Sequence, residues 1–389
     1  MDMKNLSVGD VEELLTDETR APAVTIYLPT HLDASPPNQS EDEIRAKNLL
    51  NKAVSIMDTR DDSRNYKKEF TESFEPLLAS PNKFEHQTAG LLVCSRPGRF
   101  AIYHLPLDSE EYVAVSDQYH LAPVFGIIND LREYYILILA QQYPILYQGD
   151  FYGVYKSDIK LPSSLKVALN IDETGKENEQ QRSAYGGVRG TYGFNGRGGD
   201  KNPAENERMR FWRMIDQALM KHGDRKRPLI IAGIASEISE YLAHSHYPQI
   251  LKHHIEGNFS GSNPIDLYRL AMNVIRHELL NPYHDRVIEE YKGLNGQAPH
   301  LTADNFAAIA DAAEKGRVDK LLVSSIRYTA DTVRDNYKPV PVITFPPVES
   351  SQAVNDIARI VWNCGGSIIN IESSHMPKKG ALMVATMRY

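Results

Sequence analysis

Cysteine is scarce: Cys94 and Cys364 are the only two in 389 residues. They exclude a disulfide scaffold and any zinc-finger spacing, and both are expected to be reduced and buried. No apolar run approaches the ~18 residues of a membrane span, so no membrane partner is expected. The opening "MDMKNLSVGDVEELL" has neither the basic stretch nor the apolar core of a secretory signal, and the cytoplasm is the expected location. Positive charge is in deficit, with 43 Lys or Arg against 51 Asp or Glu and a net charge of −8. That balance excludes a chain basic all over for nucleic acid, though not a local basic face. The Gly-Lys-Ser/Thr of a P-loop is missing as well.

What remains is an ordinary globular composition, 42% hydrophobic and 24% charged. The pattern predicts a short helix over 5–15 and a strand at "AVTIYLP". A long amphipathic helix follows, with Ile44, Leu49, Leu50, Ala53 and Ile56 on its apolar face. "TAGLLVCS", "RFAIYHLP" and "EYVAVSD" read as strands. So does "YYILILAQ", followed by "YPILYQG" and "FYGVYKSDI" at hairpin spacing. After a helix over about 203–222 comes the apolar strand "PLIIAGIA", then a helix from about Glu237. The helical linker "PIDLYRLAMNVIRHELL" leads into a last run of helix, strand, helix and two strands. The fold class expected is three α/β domains, over 1–128, 129–262 and 263–389.

One stretch stands apart. Residues 186–199 hold seven glycines in fourteen positions, and the run continues through "GFNGRGGDKN" (193–202). A polar segment from Asp172 to Lys201 is too long for an ordinary connection. Asn202, Pro203 and Glu205 then give the cap, first-position proline and third-position glutamate of a helix start. On that helix Phe211, Ile215, Ala218 and Leu219 form one stripe with Trp212 at its edge. Arg210, Arg213, Gln217 and Lys221 form another. Residues 182–227 carry eleven Arg or Lys against five Asp or Glu, a basic region in an acidic chain. Such a loop before a helix N-terminus suits an anion. A dinucleotide fingerprint starts at Gly196 and Gly198 but meets Lys201 where its third glycine belongs.

"GRGGDKNPAENERMRFWRMIDQAL" resembles the catalytic loop and following helix of archaeal and eukaryotic class-1 release factors. In that family Gly-Arg-Gly-Gly-Gln precedes an Arg- and aromatic-rich helix. "YYILILAQQYPILYQGDFYGVYKSDIKLP" and "RPLIIAGIASEISEYL" resemble the family's middle domain, and "NCGGSIINIE" its third. "AVTIYLPTH" and "QYHLAPVFGII" resemble features of the bacterial branch of this release-factor/Pelota-like superfamily. The resemblance implies a ribonuclease-H-like middle domain and a C-terminal domain like the release factors' third. It implies a ribosome-associated protein whose partners are ribosomal RNA and peptidyl-tRNA, with a further protein held by the C-terminal domain. Gly198, Gly199 and Asp200 occupy the catalytic positions, and Arg197, Lys201, Arg210 and Arg213 the RNA-binding ones. No cofactor and no metal is implied. The two glycines permit backbone angles that a side chain forbids, and the N–H after them can stabilise a developing oxyanion. Asp200 stands where the family has glutamine, which leaves ester hydrolysis open. "YGGVRG" (185–190) offers a second Gly-Gly register without an adjoining helix. The family's stop-codon motifs are absent, which favours ribosome rescue over stop-codon reading. The alternatives are a non-catalytic ribosome- or protein-binding scaffold and a hydrolase that binds a phosphate ligand.

Other candidates have plainer readings. His244, His246, His253 and His254 match no standard zinc spacing. Asp130, Asp150 and Asp158 border the middle strands and read as strand-end carboxylates. His31 and His120 read as packing or turn histidines, with a second site in the first domain as the sharper option.

Overall fold

The computed structural model describes residues 3–17, 21–31, 35–63, 65–79, 89–130, 133–140, 144–162, 203–259, 261–329 and 340–389. They form a mixed α/β structure in two compact units, one of residues 1–131 with 279–389 and one of residues 132–278.

The first unit begins with β1 (Met3–Asn5), α1 (Val8–Leu15), β2 (Ala23–Pro29), α2 (Pro36–Thr59) and α3 (Lys67–Ala79). Strands β3 (Gly90–Arg96), β4 (Arg99–Leu105), β5 (Asp108–Ser109) and β6 (Tyr112–Ser116) follow, then α4 (Ala122–Asp130). The sheet order is β1-β4-β3-β2-β6, with Ile26 opposite Val93. Successive strand residues face opposite sides, and both sides here are apolar. Val24, Ile26, Leu28, Leu91 and Val93 pack on α2 and α3, against Leu49, Ala53, Phe70 and Phe74. Tyr27, Leu92, Cys94 and Tyr103 turn to the other side, onto Phe125 and Ile128 of α4.

That second core continues into the C-terminal part of the chain. This part holds α8 (Asn281–Gln297), β12 (Thr302–Ala303), α9 (Phe306–Glu314), β13 (Val318–Thr329), β14 (Val340–Ile343), α10 (Val348–Asn363), β15 (Ser367–Glu372) and β16 (Met383–Met387). Leu321 and Val323 of β13 face the shared core, while Leu322 faces Val287 and Tyr291 of α8. β5 pairs in parallel with β14, so two residues from the first half form the edge of the last sheet. A buried seam joins the halves. Asn370 donates from Nδ2 to Pro123 O at 2.7 Å and accepts from Ser325 Oγ at 2.8 Å. A Cβ on Gly126 would stand 2.5 Å from Asn370 Cγ, so only glycine lets α4 lie this close to β15.

His120 is part of the same seam. Its Nε2 lies 3.1 Å from Gln352 Oε1, and Gln352 Nε2 donates to Asp356 Oδ1, which fixes the amide's orientation. Nε2 therefore carries the imidazole proton, and Nδ1 accepts from Tyr112 OH at 3.0 Å. Ser351 Oγ lies 2.7 Å from the same phenol oxygen. Burial holds the His120 imidazolium below the usual histidine range, against smaller upward pulls from Gln352 and Asp356. A depressed folded pKa means full stability above the unfolded value of about 6.5 and loss as pH falls through the folded value. His104, in the same unit, is depressed by burial too and adds to the wild-type slope. His120→Gln is expected to flatten the drop in urea midpoint between about pH 7.5 and about pH 5.5.

The second unit holds β7 (Tyr134–Ile138), β8 (Ile145–Gly149), β9 (Val154–Lys156), α5 (Pro203–His222), β10 (Leu229–Gly233), α6 (Ala235–Leu242), β11 (Ile255–Glu256) and α7 (Pro264–Ile275). Its sheet order is β11-β10-β7-β8-β9, with β7 and β10 parallel and Ile136 opposite Ile230. Tyr135, Leu137, Leu229 and Ile231 pack against Phe211, Trp212, Ile215 and Leu219 of α5.

Several expectations need correction. Cys364 is exposed, not buried. It caps α10 just before Gly365 turns the chain at φ 70°, which puts it at the surface. Ile44 is 57% exposed, and the buried stripe of α2 runs instead through Asp42, Ala46, Leu49, Leu50, Ala53 and Met57. Residues 3–5 are an edge strand ahead of α1, and α3, α4, α8 and β14 were not anticipated.

Candidate nucleic-acid interface

The glycine-rich segment lies between two described flanks that return to one core. Ile159 and Leu161, ahead of it, pack against the same cluster as Phe211, Trp212 and Ile215, behind it. Gly198, Gly199, Asp200, Arg197 and Lys201 lie outside the described residues, as do Asn202 and the 185–190 register. Of the predicted site, Arg210 and Arg213 on α5 are described.

The two stripes of α5 are as the sequence spacing predicts. Phe211, Ile215 and Leu219 are buried and Ala218 half-buried. Trp212, predicted at the edge, is 1% exposed. Arg213, Gln217 and Lys221 are exposed at four-residue intervals, one row on one helix face, and Arg210 beside them is half-buried. Among the described residues neither Arg213 nor Lys221 has a carboxylate within ion-pair distance. Lys221 and His222 also complement the negative end of the helix dipole. Next comes a turn closed by Asp224, which accepts from Lys226 N, and Arg227 pairs with Glu133 and lies over the Tyr135 ring.

Two carboxylates that the sequence did not single out hold this helix. Glu240 Oε2 on α6 accepts from Arg208 Nε at 3.1 Å and from Trp212 Nε1 at 3.2 Å. Asp216, 4% exposed, accepts from Tyr241 OH at 3.2 Å, Ser245 Oγ at 2.5 Å and His246 N at 3.0 Å. Asp216 falls beside an apolar stripe, and a buried carboxylate requires partners of this kind. The sequence signal was there, in a charged residue within one turn of Ile215 and Leu219.

The remaining candidates are engaged separately. His253 Nδ1 lies 2.7 Å from Glu278, and Asp150 Oδ1 accepts from Tyr152 N and Gly153 N in the β8–β9 turn. Asp158 is exposed, and the side chain of Asp130 lies outside the described ones. Among the described residues no three His, Cys, Asp or Glu side chains are grouped to hold a metal.

This unit of sheet and basic helix is where comparison with known families succeeds. Residues 134–277 match the model of bacterial archaeo-eukaryotic release factor family 7. Over that segment the chain is similar to the bacterial archaeo-eukaryotic release factors. The release-factor segment coincides with the second compact unit, 132–278. Comparison with curated proteins finds no match. Among solved structures, the archaeal translation termination factor aRF1 aligns over 99% of this chain and 99% of its own, at 11% identity and a TM-score of 0.24. Archaeoglobus fulgidus Pelota aligns over 77% and 79%, at 14% identity and 0.33. Archaeal Pelota from a model of the ribosome-bound complex with ABCE1 aligns over 100% and 95%, at 14% identity and 0.34. Likenesses at these scores add nothing to the release-factor reading, which rests on the family match.

Proposed function

We propose that the protein acts on the ribosome in rescue, not in stop-codon reading, and resides in the cytoplasm. The observation that carries this reading is the release-factor match over 134–277. Within that unit α5 presents a row of Arg213 and Lys221, without a carboxylate partner among the described residues, just after the glycine-rich segment. In this reading the row and Arg210, with Arg197 and Lys201, bind ribosomal RNA phosphates. Gly198 and Gly199 bring backbone close to the peptidyl-tRNA ester, and the N–H of Asp200 stabilises the charge that develops there. The Asp200 side chain is an acceptor when ionised and cannot donate as the family's glutamine amide can. The C-terminal part of the chain holds a protein partner.

Binding and catalysis are tested apart. Wild-type protein is expected to co-sediment with ribosomes at low salt and to dissociate as salt rises. Arg213→Glu with Lys221→Glu should weaken binding roughly tenfold and flatten its salt dependence. Deletion of residues 186–199, or Gly199→Ala, should abolish release of peptide from ribosome-bound peptidyl-tRNA. If neither the wild type nor Asp200→Gln releases peptide while binding persists, the protein is a scaffold and not an esterase. If nothing co-sediments at any salt, the ribosomal reading fails.

A further inference from the structure

The described flanks of the glycine-rich segment meet in one core. Ile159 and Leu161, ahead of it, join the cluster of Phe211, Trp212 and Ile215, behind it. Ile159 and Leu161 are half-buried. Trp212 is buried, and its ring meets Tyr241 of α6 edge-on, with centroids 6.4 Å apart and planes at 90°. A tryptophan carries one polar side-chain atom into a core, the indole nitrogen, and its N–H needs an acceptor.

Glu240 supplies that acceptor from α6. Its Oε2 accepts from Trp212 Nε1 at 3.2 Å and from Arg208 Nε at 3.1 Å. Arg208 and Trp212 stand four residues apart, on one face of α5. Arg208 is also the first described side chain of α5 that bonds to another element. A single carboxylate oxygen therefore ties the early turns of α5 to α6, at the end nearer the glycine-rich segment.

The two bonds are not equal. The Arg208 and Glu240 side chains are 30% and 34% exposed, and an ion pair so open to water contributes little. The Trp212 donor is buried and has no other acceptor among the described residues, so its bond is the one whose loss is felt. Neither Arg213 nor Lys221 bonds to Glu240.

We infer that Glu240 is a positioning residue for the peptide release of the ribosomal reading: acting through Trp212, it sets the rate and leaves affinity for the ribosome to the exposed row. The inference rests on that reading and adds a division of roles between the two faces of α5. Catalysis by a loop depends on how firmly its roots are held, since a displacement of about 1 Å can slow a reaction about a hundredfold. Phosphate contacts by Arg213 and Lys221 tolerate more, because charge attraction falls off gradually with distance. Loosening the start of α5 should therefore slow release before it weakens binding.

The test is single-turnover release from ribosome-bound peptidyl-tRNA at saturating protein, beside ribosome co-sedimentation, both with the full chain. Glu240→Ala should slow release at least about tenfold and keep ribosome affinity within about twofold of the wild type. Glu240→Gln keeps a carbonyl oxygen for Trp212 Nε1 and should recover most of the rate. Arg208→Ala breaks only the exposed pair and should release within about threefold of the wild-type rate. Equal release by Glu240→Ala and the wild type would overturn this inference alone. So would loss of rate and affinity together in Glu240→Ala, which marks a loosened unit and not a misplaced root. A Glu240→Gln protein as slow as Glu240→Ala would overturn it as well, since the acceptor would then not be what matters. If neither the wild type nor Asp200→Gln releases peptide, the esterase reading falls and takes the inference with it.

Discussion

Asn355→Ala should lower the stability of the first unit by about 3 kcal/mol or more, because it strands three buried backbone groups at once. Asn355 is 1% exposed. Its Oδ1 accepts from Leu121 N at 2.8 Å and from Ala122 N at 3.2 Å, and its Nδ2 donates to Tyr119 O at 3.1 Å. The first N–H groups of any helix lack partners within it, and α4 starts in an apolar core where water cannot supply them. A side chain more than two hundred residues away acts as its cap. Val124, Phe125, Val354 and Ala358, neighbours of these residues in the chain, belong to the apolar core and offer no polar side-chain group in exchange. The chain has two tryptophans, and they fall in different units. Trp362 stacks on Phe125 with centroids 5.0 Å apart, so its fluorescence reports the seam that Asn355 closes. With Trp212 replaced by Phe, the Trp362 transition in urea should shift to markedly lower denaturant in Asn355→Ala. With Trp362 replaced instead, the Trp212 transition should stay where it was. Equal stability of Asn355→Ala and its parent would mean that α4 does not depend on this cap.

The contrast between Asn355 and Phe211 shows what the sequence could disclose. Phe211, Ile215 and Leu219 recur at helical spacing next to a proline start, so α5 and both its faces could be read from local order. The same holds for β2 and β3, whose apolar runs are long enough to be strands buried on both sides. Asn355, His120 and Asn370 carry no such periodic mark. Each is a polar residue inside an otherwise apolar pattern, and its meaning depends on a partner brought near by folding. β5 is the same case on the backbone: two residues, too short for any pattern, complete a sheet formed by the far end of the chain. Asp42 misled in a more specific way. Ile44 is the more apolar residue and drew the stripe toward itself, yet the helix turns Asp42 inward to hold His31. The glycine segment was conspicuous for its composition. The residues that position the helix after it, Glu240 and Asp216, were not, because they act through α6 and the loop that follows it.

Asp216→Ala is the matching experiment in the second unit. It is expected to lower the Trp212 transition by about 3 kcal/mol or more and to leave the Trp362 transition unchanged. Three donors, Tyr241 OH, Ser245 Oγ and His246 N, now converge on one carboxylate between α5 and the end of α6. Removing it leaves them facing an apolar methyl group, and a buried donor without an acceptor is costlier than the average hydrogen bond is favourable. Asp216→Asn should be less damaging, since one amide oxygen can still accept, though its NH₂ then meets donors. The functional consequence follows from where the helix stands. Arg213 and Lys221 lie on α5 itself, within one or two turns of Asp216, and a helix freed from α6 no longer presents them as a single row. Ribosome co-sedimentation by Asp216→Ala should therefore fall at a temperature where the wild type binds, and recover on cooling as the unit refolds. Charge reversal at Arg213 and Lys221 should weaken binding at every temperature without moving the Trp212 transition. If Asp216→Ala instead bound ribosomes normally while its Trp212 transition had collapsed, α5 would not be the surface through which the protein engages RNA.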